Sequence, residues 1–253
     1  MSDASGATSA WELESQRLTI FRVPGVDFDV EGTWSLLAGH PPTDVSRKPA
    51  LNSAKATGSF GAGQLVVQAD PLRADCSYVG VVQEDKGPFP QALGNYAEVL
   101  SVFVDPIRRW LGQGVQVLRL AYGCALMQQV DSHVHAYRRL ATFLPTMHID
   151  PEHASDLQYQ INRPRKSGIV DGLAINRLSK WAAKRVVINR YSGVSNEGQI
   201  TSMLLSEVFQ SNLELDINSA SDWTDILPQD QLPDLLDEFV KLSLEIAIGG
   251  DIE

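Results

Sequence analysis

The sequence has little cysteine, no long apolar run and no short catalytic signature, and each lack closes off a class of protein. Cys76 and Cys124 are its two cysteines, far apart and without CxxC spacing. That leaves no sulfur for a disulfide framework or a zinc finger, and both are expected as reduced, buried thiols. No apolar run approaches the roughly 20 residues needed to cross a bilayer, so no membrane partner is expected. The opening MSDASGATSAWELE has no basic stretch followed by an apolar one and does not read as a secretory signal. The expectation is a cytoplasmic protein with a disordered N-terminus over residues 1–16. There is no GxSxG elbow and no GxxxxGK[ST] loop, and Gly61-Ala62-Gly63 falls in a predicted hairpin where it cannot cradle phosphate. No cofactor is called for.

What is present is an ordinary globular composition: 253 residues, 43 % hydrophobic and 21 % charged. The net charge is −10, from 21 basic and 31 acidic side chains. An acidic protein is poorly suited to general binding of nucleic acid or of an anionic membrane. The charge is uneven, however. Residues 163–190 carry eight basic side chains against Asp171, whereas eleven acids and only Lys241 follow residue 213.

Hydrophobic periodicity organises the chain into two runs of elements. Residues 18–23 suit a strand, and 29–37 a short helix capped by Asp29. The proline-rich 39–49 reads as a loop. Three strands follow at 51–60, 64–69 and 76–83. Residues 92–112 place Leu93, Tyr96, Leu100, Phe103, Ile107 and Trp110 on one helical face, with Pro106 inside. A strand at 115–127, a helix at 135–144 and a strand at 157–162 come next. Strands at 185–191 and 202–217 follow, the latter with a turn near 210–212. A second amphipathic helix over 233–248 ends at Gly249-Gly250. Both runs read β-α-β-β-β-α. The expectation is an α+β fold of two pseudo-repeated halves, 17–113 and 114–253, with a mostly antiparallel sheet and two long amphipathic helices. Together they form one compact domain or two lobes.

Three groups of residues merit chemical scrutiny. Asp131-Ser132-His133-Val134-His135 offers alternate histidines, as at the opening of a metal-dependent hydrolase barrel. Too few residues follow to build such a barrel, so His133 and His135 are weak metal candidates and otherwise ordinary helix-start residues. Glu214 and Asp216 share one face of the strand LELDI. A pair of that kind suits acid/base or metal chemistry, but an apolar-in, acid-out strand explains it without any. The basic segment supplies Arg163, Arg165, Lys166, Arg177, Trp181, Lys184 and Arg185. These could grip phosphates and stack on a base, meet an acidic protein, or form a solvated loop. The basic segment and the acidic C-terminus could also pair between two copies.

The order LRLAYGCALM, HAYRRLATFLPTM, DLQYQINRP and SNLELDINS, with the ending LPDLLDEFVKLSLEIAIGGDIE, resembles a bacterial family described only as sporadically distributed and uncharacterised. The likeness covers residues 115–253. It includes a strand bearing Arg119 and Tyr122, a late strand ending in Leu215, Asp216 and Ile217, and a final helix with acids after it. The resemblance implies an architecture and transfers no site residues. The leading expectation is a non-enzymatic binding or regulatory module acting through a protein partner or as a homo-oligomer, such as a subunit of a bacterial complex. The alternatives are a nucleic-acid or nucleotide binder using the 163–190 segment, and a metal-dependent hydrolase.

Overall fold

Alternation of apolar and polar residues along most strands, and 3.6-residue periodicity along the two long helices, give the sheet and each long helix a single side to bury. The computed structural model describes residues 11–83, 89–194 and 200–251, with only the backbone described at 190–194 and 200–205. Its first run comprises β1 (Glu12–Arg22), α1 (Val30–Ala38), β2 (Asp44–Lys48), β3 (Ser53–Phe60), β4 (Gly63–Ala69), β5 (Arg73–Val79) and α2 (Tyr96–Leu111). The second comprises β6 (Val117–Val130), α3 (His133–Phe143), β7 (Gln158–Asn162), β8 (Arg165–Lys166), β9 (Ala174–Val194), β10 (Ile200–Ser219) and α4 (Leu232–Gly249).

The α+β class is as expected, and all ten strands form one sheet in the order β2-β3-β4-β5-β1-β6-β10-β9-β7, with β8 beside β9. Every strand pairing among the described residues is antiparallel. The two runs meet where β1 pairs with β6, Gln16 opposite Cys124. Outward from that seam the strands succeed each other alike, β1-β5-β4-β3 on one side and β6-β10-β9-β7 on the other.

The register fixes which residues share a face. Gly58, Leu65, Tyr78, Gln16, Cys124, Leu215 and Ser179 form one row across the sheet, and this side carries the helices. Trp34 of α1 donates to the Leu65 carbonyl at 3.1 Å. The Tyr96 hydroxyl of α2 shares hydrogen bonds with Tyr122 and Ser243, at 3.4 and 2.7 Å. Ser211 of β10 donates to the Ala136 carbonyl in α3 at 3.2 Å. Trp11, at the start of β1, donates to the Ala247 carbonyl of α4 at 2.8 Å and packs on Phe143 and Trp181. The core is therefore one layer of large side chains between sheet and helices, among them Trp11, Trp34, Trp181, Phe103 and Phe239. Each stabilises the fold by roughly 1.5–3 kcal/mol through apolar burial.

Local signals act where expected at the helix ends. The Asp29 carboxylate accepts from the Gly32 amide at 2.9 Å, and Asn95 caps α2 through the Ala97 amide. Gly250 ends α4 at φ +81°, and a Cβ there would lie 2.3 Å from the Phe143 carbonyl oxygen. Only glycine fits both constraints.

Several expectations need correction. Residues 11–16 are not a disordered terminus: they belong to β1 and its approach, and Trp11 and Leu13 are fully buried; residues 1–10 lie outside the described residues. The presumed loop at 39–49 contains β2, an edge strand whose side chains are nearly all exposed. The turn near Gln210–Asn212 does not exist, because β10 runs unbroken there, paired with β6 on one side and β9 on the other. The strand expected at 185–191 begins at Ala174.

Candidate functional site

The side of the sheet opposite the helices bears a trough built by two neighbouring rows. One row is Ser77, Arg17, Gly123, Asp216 and Leu178; the other is Val79, Ser15, Ala125, Glu214, Lys180 and Gln160. Successive residues of a strand point to opposite faces, so these side chains are the immediate neighbours of core residues yet lie outside the core. Together they line a cavity of about 540 Å³. One hollow that touches both β5 and β7 requires the sheet to curl around it, as its twist favours. The centre of its floor is made of small residues: Ser15, Ser77, Gly123 and Ala125. Ser15 and Val79 also border a second hollow of about 1010 Å³, walled by Glu12, Glu14, Met127, Lys184, Val186 and Val208.

Charges of both signs stand in the trough. Glu214 lies between Lys180 and Lys184, at 3.4 and 3.5 Å. Asp216 accepts from Asn218 at 2.8 Å, at the end of a ladder in which Asn162 donates to Asn176 and Asn176 to Asn218. Asp75, one row further along, accepts from Thr19 at 2.5 Å and pairs with Arg73 at 2.8 Å. The Arg17 guanidinium approaches Asp75 only to 4.0 Å. Burial raises the pKa of the Glu14 carboxyl, against the attraction of Lys184 and with the repulsion of Glu214.

The fold splits the basic segment, bringing Arg163, Arg165 and Arg177 together near Glu245 and Asp251 and placing the rest elsewhere. Arg163 pairs with Asp251, and Arg165 with Glu245 at 3.3 Å, so part of the basic segment meets the acidic C-terminus within one chain. Arg177 is 2 % exposed on the helix side; desolvation lowers its pKa, and its Nε and Nη2 have no hydrogen-bond partner among the described residues. Lys166 is exposed in β8. Trp181 is fully buried beside Trp11 and Phe143, so no base can stack on it. Lys184 reaches the trough, whereas Arg185 pairs with Glu207 on the side of α3. His133 packs against Tyr137, and His135 lies 3.6 Å from Asp131 at the exposed start of α3. Among the described residues no group of three or more His, Cys, Asp or Glu is placed to hold a metal.

Cys76 and Cys124 face the core, and burial pushes the Cys124 thiol up to about 12 and Cys76 likewise upward. Neither is a nucleophile at neutral pH. No helix among the described residues is long and apolar enough to cross a membrane.

Sequence reasoning singled out Glu214 and Asp216 but missed Arg17, Ser15, Ser77, Gly123 and Ala125. The alternation within β1 hints that Ser15 and Arg17 share a side; the rest is brought together only by register. Comparison of the chain with protein-family models, curated proteins and solved structures finds no match.

Proposed function

We propose that the chain is a binding module that holds a segment of a protein partner against the helix-free side of its sheet and performs no chemistry of its own. The observation that carries this reading is the pair of adjoining residue rows that turn six strands into one small-floored trough. Pockets of this size with a few convergent polar groups are the default place for a ligand. The mixture of Arg17, Lys180 and Lys184 with Glu14, Glu214 and Asp216 suits a polypeptide, which offers both signs and backbone donors. A polyanion would meet the carboxylates at close range. Glu214 is already held by two lysines and both thiols face the core, which argues against acid/base or nucleophilic work at the site. We take the family resemblance of residues 115–253 as part of the same reading: a bacterial, cytoplasmic subunit that works by contact.

A display library of random, unstructured peptides selected on the protein tests it. Selected peptides should lose at least tenfold in affinity on Ala125→Trp, which fills the trough floor, and nothing on Lys241→Trp on the exposed side of α4. Failure to select any binder, or binders indifferent to Ala125→Trp, would overturn the reading.

A further inference from the structure

Most of the charge on the trough side is already answered. Glu214 has two lysines, and Asp75 has Arg73 and Thr19. Among the described residues the two least answered opposite charges are Arg17, at the outer limit of an ion pair with Asp75, and Asp216. They occupy the same row, one strand to either side of Gly123. The Arg17 guanidinium, 45 % exposed in its side chain, has among the described residues no carboxylate closer than Asp75 at 4.0 Å. It leans over the glycine, its Nη2 3.9 Å from where a Cβ on Gly123 would stand. Asp216 receives one amide hydrogen bond from Asn218 and has no cation within ion-pair distance among the described residues.

Two strand spacings separate the backbones of Arg17 and Asp216, roughly 10 Å. A side chain at position 123 would stand between them and crowd the Arg17 guanidinium, and glycine leaves that room free. The result is a positive and a negative end facing each other across bare backbone in a concave hollow, where curvature and low-dielectric walls strengthen both fields. Leu178 continues the row beyond Asp216 and Val79 flanks it at the far end, so each end of the charged pair has an apolar neighbour.

Resting on the reading of the trough as a peptide site, we propose that its occupant is an extended segment of a partner polypeptide that presents an acidic and a basic side chain on one face, the acid on Arg17 and the base on Asp216. In an extended chain residues i and i+2 share a face about 6.6 Å apart, and the long arms of arginine and lysine close the remaining distance. Ion pairs made at such a site set which sequences bind more than how tightly they bind.

The experiment uses four synthetic peptides on one β-prone, serine- and threonine-rich scaffold, carrying Glu-x-Lys, Glu-x-Glu, Lys-x-Lys or Gln-x-Gln at the centre, titrated calorimetrically against the full chain. The wild-type protein should prefer Glu-x-Lys at least tenfold at low salt, and the preference should shrink with added salt. Arg17→Glu should move the preference to Lys-x-Lys, and Asp216→Lys should move it to Glu-x-Glu. Arg17→Gln and Asp216→Asn, which keep size and polarity, should each flatten the discrimination, and they serve if a reversal variant fails to fold. Peptides that bind and respond to Ala125→Trp, yet rank alike on all these variants, would overturn the inference and leave the peptide-site reading standing. Absence of any peptide binding would remove both.

Discussion

Arg163 and Asp251, 88 residues apart in the chain, form a two-point ion pair: Nε to Oδ1 at 2.6 Å and Nη2 to Oδ2 at 2.9 Å. The Asp251 carboxylate is almost wholly buried and also accepts from the Tyr159 hydroxyl at 2.8 Å. It thereby ties the end of α4 to β7 and the turn after it. The hydrogen bonds from Arg163 hold its pKa below the ordinary range although burial alone would raise it. A carboxyl depressed in the folded state adds stability above its unfolded pKa, roughly 4, and loses it as the pH falls through the folded value. Asp251→Asn should cost about 3–5 kcal/mol at pH 7, as breaking a buried ion pair does. The deficit should narrow in urea melts below pH 4, and a pH-independent deficit would show that the charge is not what matters.

Glu14 has the opposite sign. Its pKa is raised by burial, so its protonated form favours the fold, fully so below the unfolded pKa of roughly 4.3. That contribution is lost as the pH rises through the folded value. Glu14→Gln should raise the melting temperature at pH 7 and leave it unchanged or lower at pH 3.5.

The two thiols give a readout of global opening. With Cys124 pushed up to about 12 and both sulfurs in the core, alkylation of the native protein should be slower than that of the urea-unfolded chain by roughly a thousandfold or more. Fast labelling of either cysteine in buffer would mean that the layer between sheet and helices opens on its own.

Beyond residues 185 and 209, β9 and β10 pair, among the described residues, only with each other: residues 186–194 and 200–208 form a two-stranded arm about 30 Å long at roughly 3.3 Å per residue. Two strands alone are marginal in water. Backbone amides of the arm should exchange with deuterium roughly a hundredfold faster than those of residues 175–182 and 211–218, which lie in the sheet interior. Equal protection would show that the arm is clamped by something besides its own pairing.

Much of the fold is legible in the sequence because most elements keep one clean period. The apolar stripe of α2, the Asp29 cap and the alternating LELDI strand each follow from local chemistry and hold in the structure. β9 hides because its helix-facing positions include Arg177 and Ser179 while its outer face carries Leu178 and Ala182, which inverts the usual pattern. β2 hides because an edge strand exposed on both sides has no apolar set to show. The trough was half legible. Glu214 and Asp216 share a strand, but Arg17 and Gly123 sit on two others, and only the β1–β6–β10 register makes them neighbours. The density of positive charge at 163–190 is split for a related reason: consecutive residues of a strand point to opposite sides, so Arg177 stays with Arg163 and Arg165 while Lys180 and Lys184 turn to Glu214.

Along β1, β6 and β10, residues that pack under the helices alternate with residues that line the trough. A substitution at Arg17 or Asp216 is therefore one peptide bond from the core and yet leaves it untouched. Over evolutionary time the outward set is free to drift toward new partners while the inward set keeps the scaffold constant. Descendants of one ancestral chain can thus share this architecture and differ in everything they recognise.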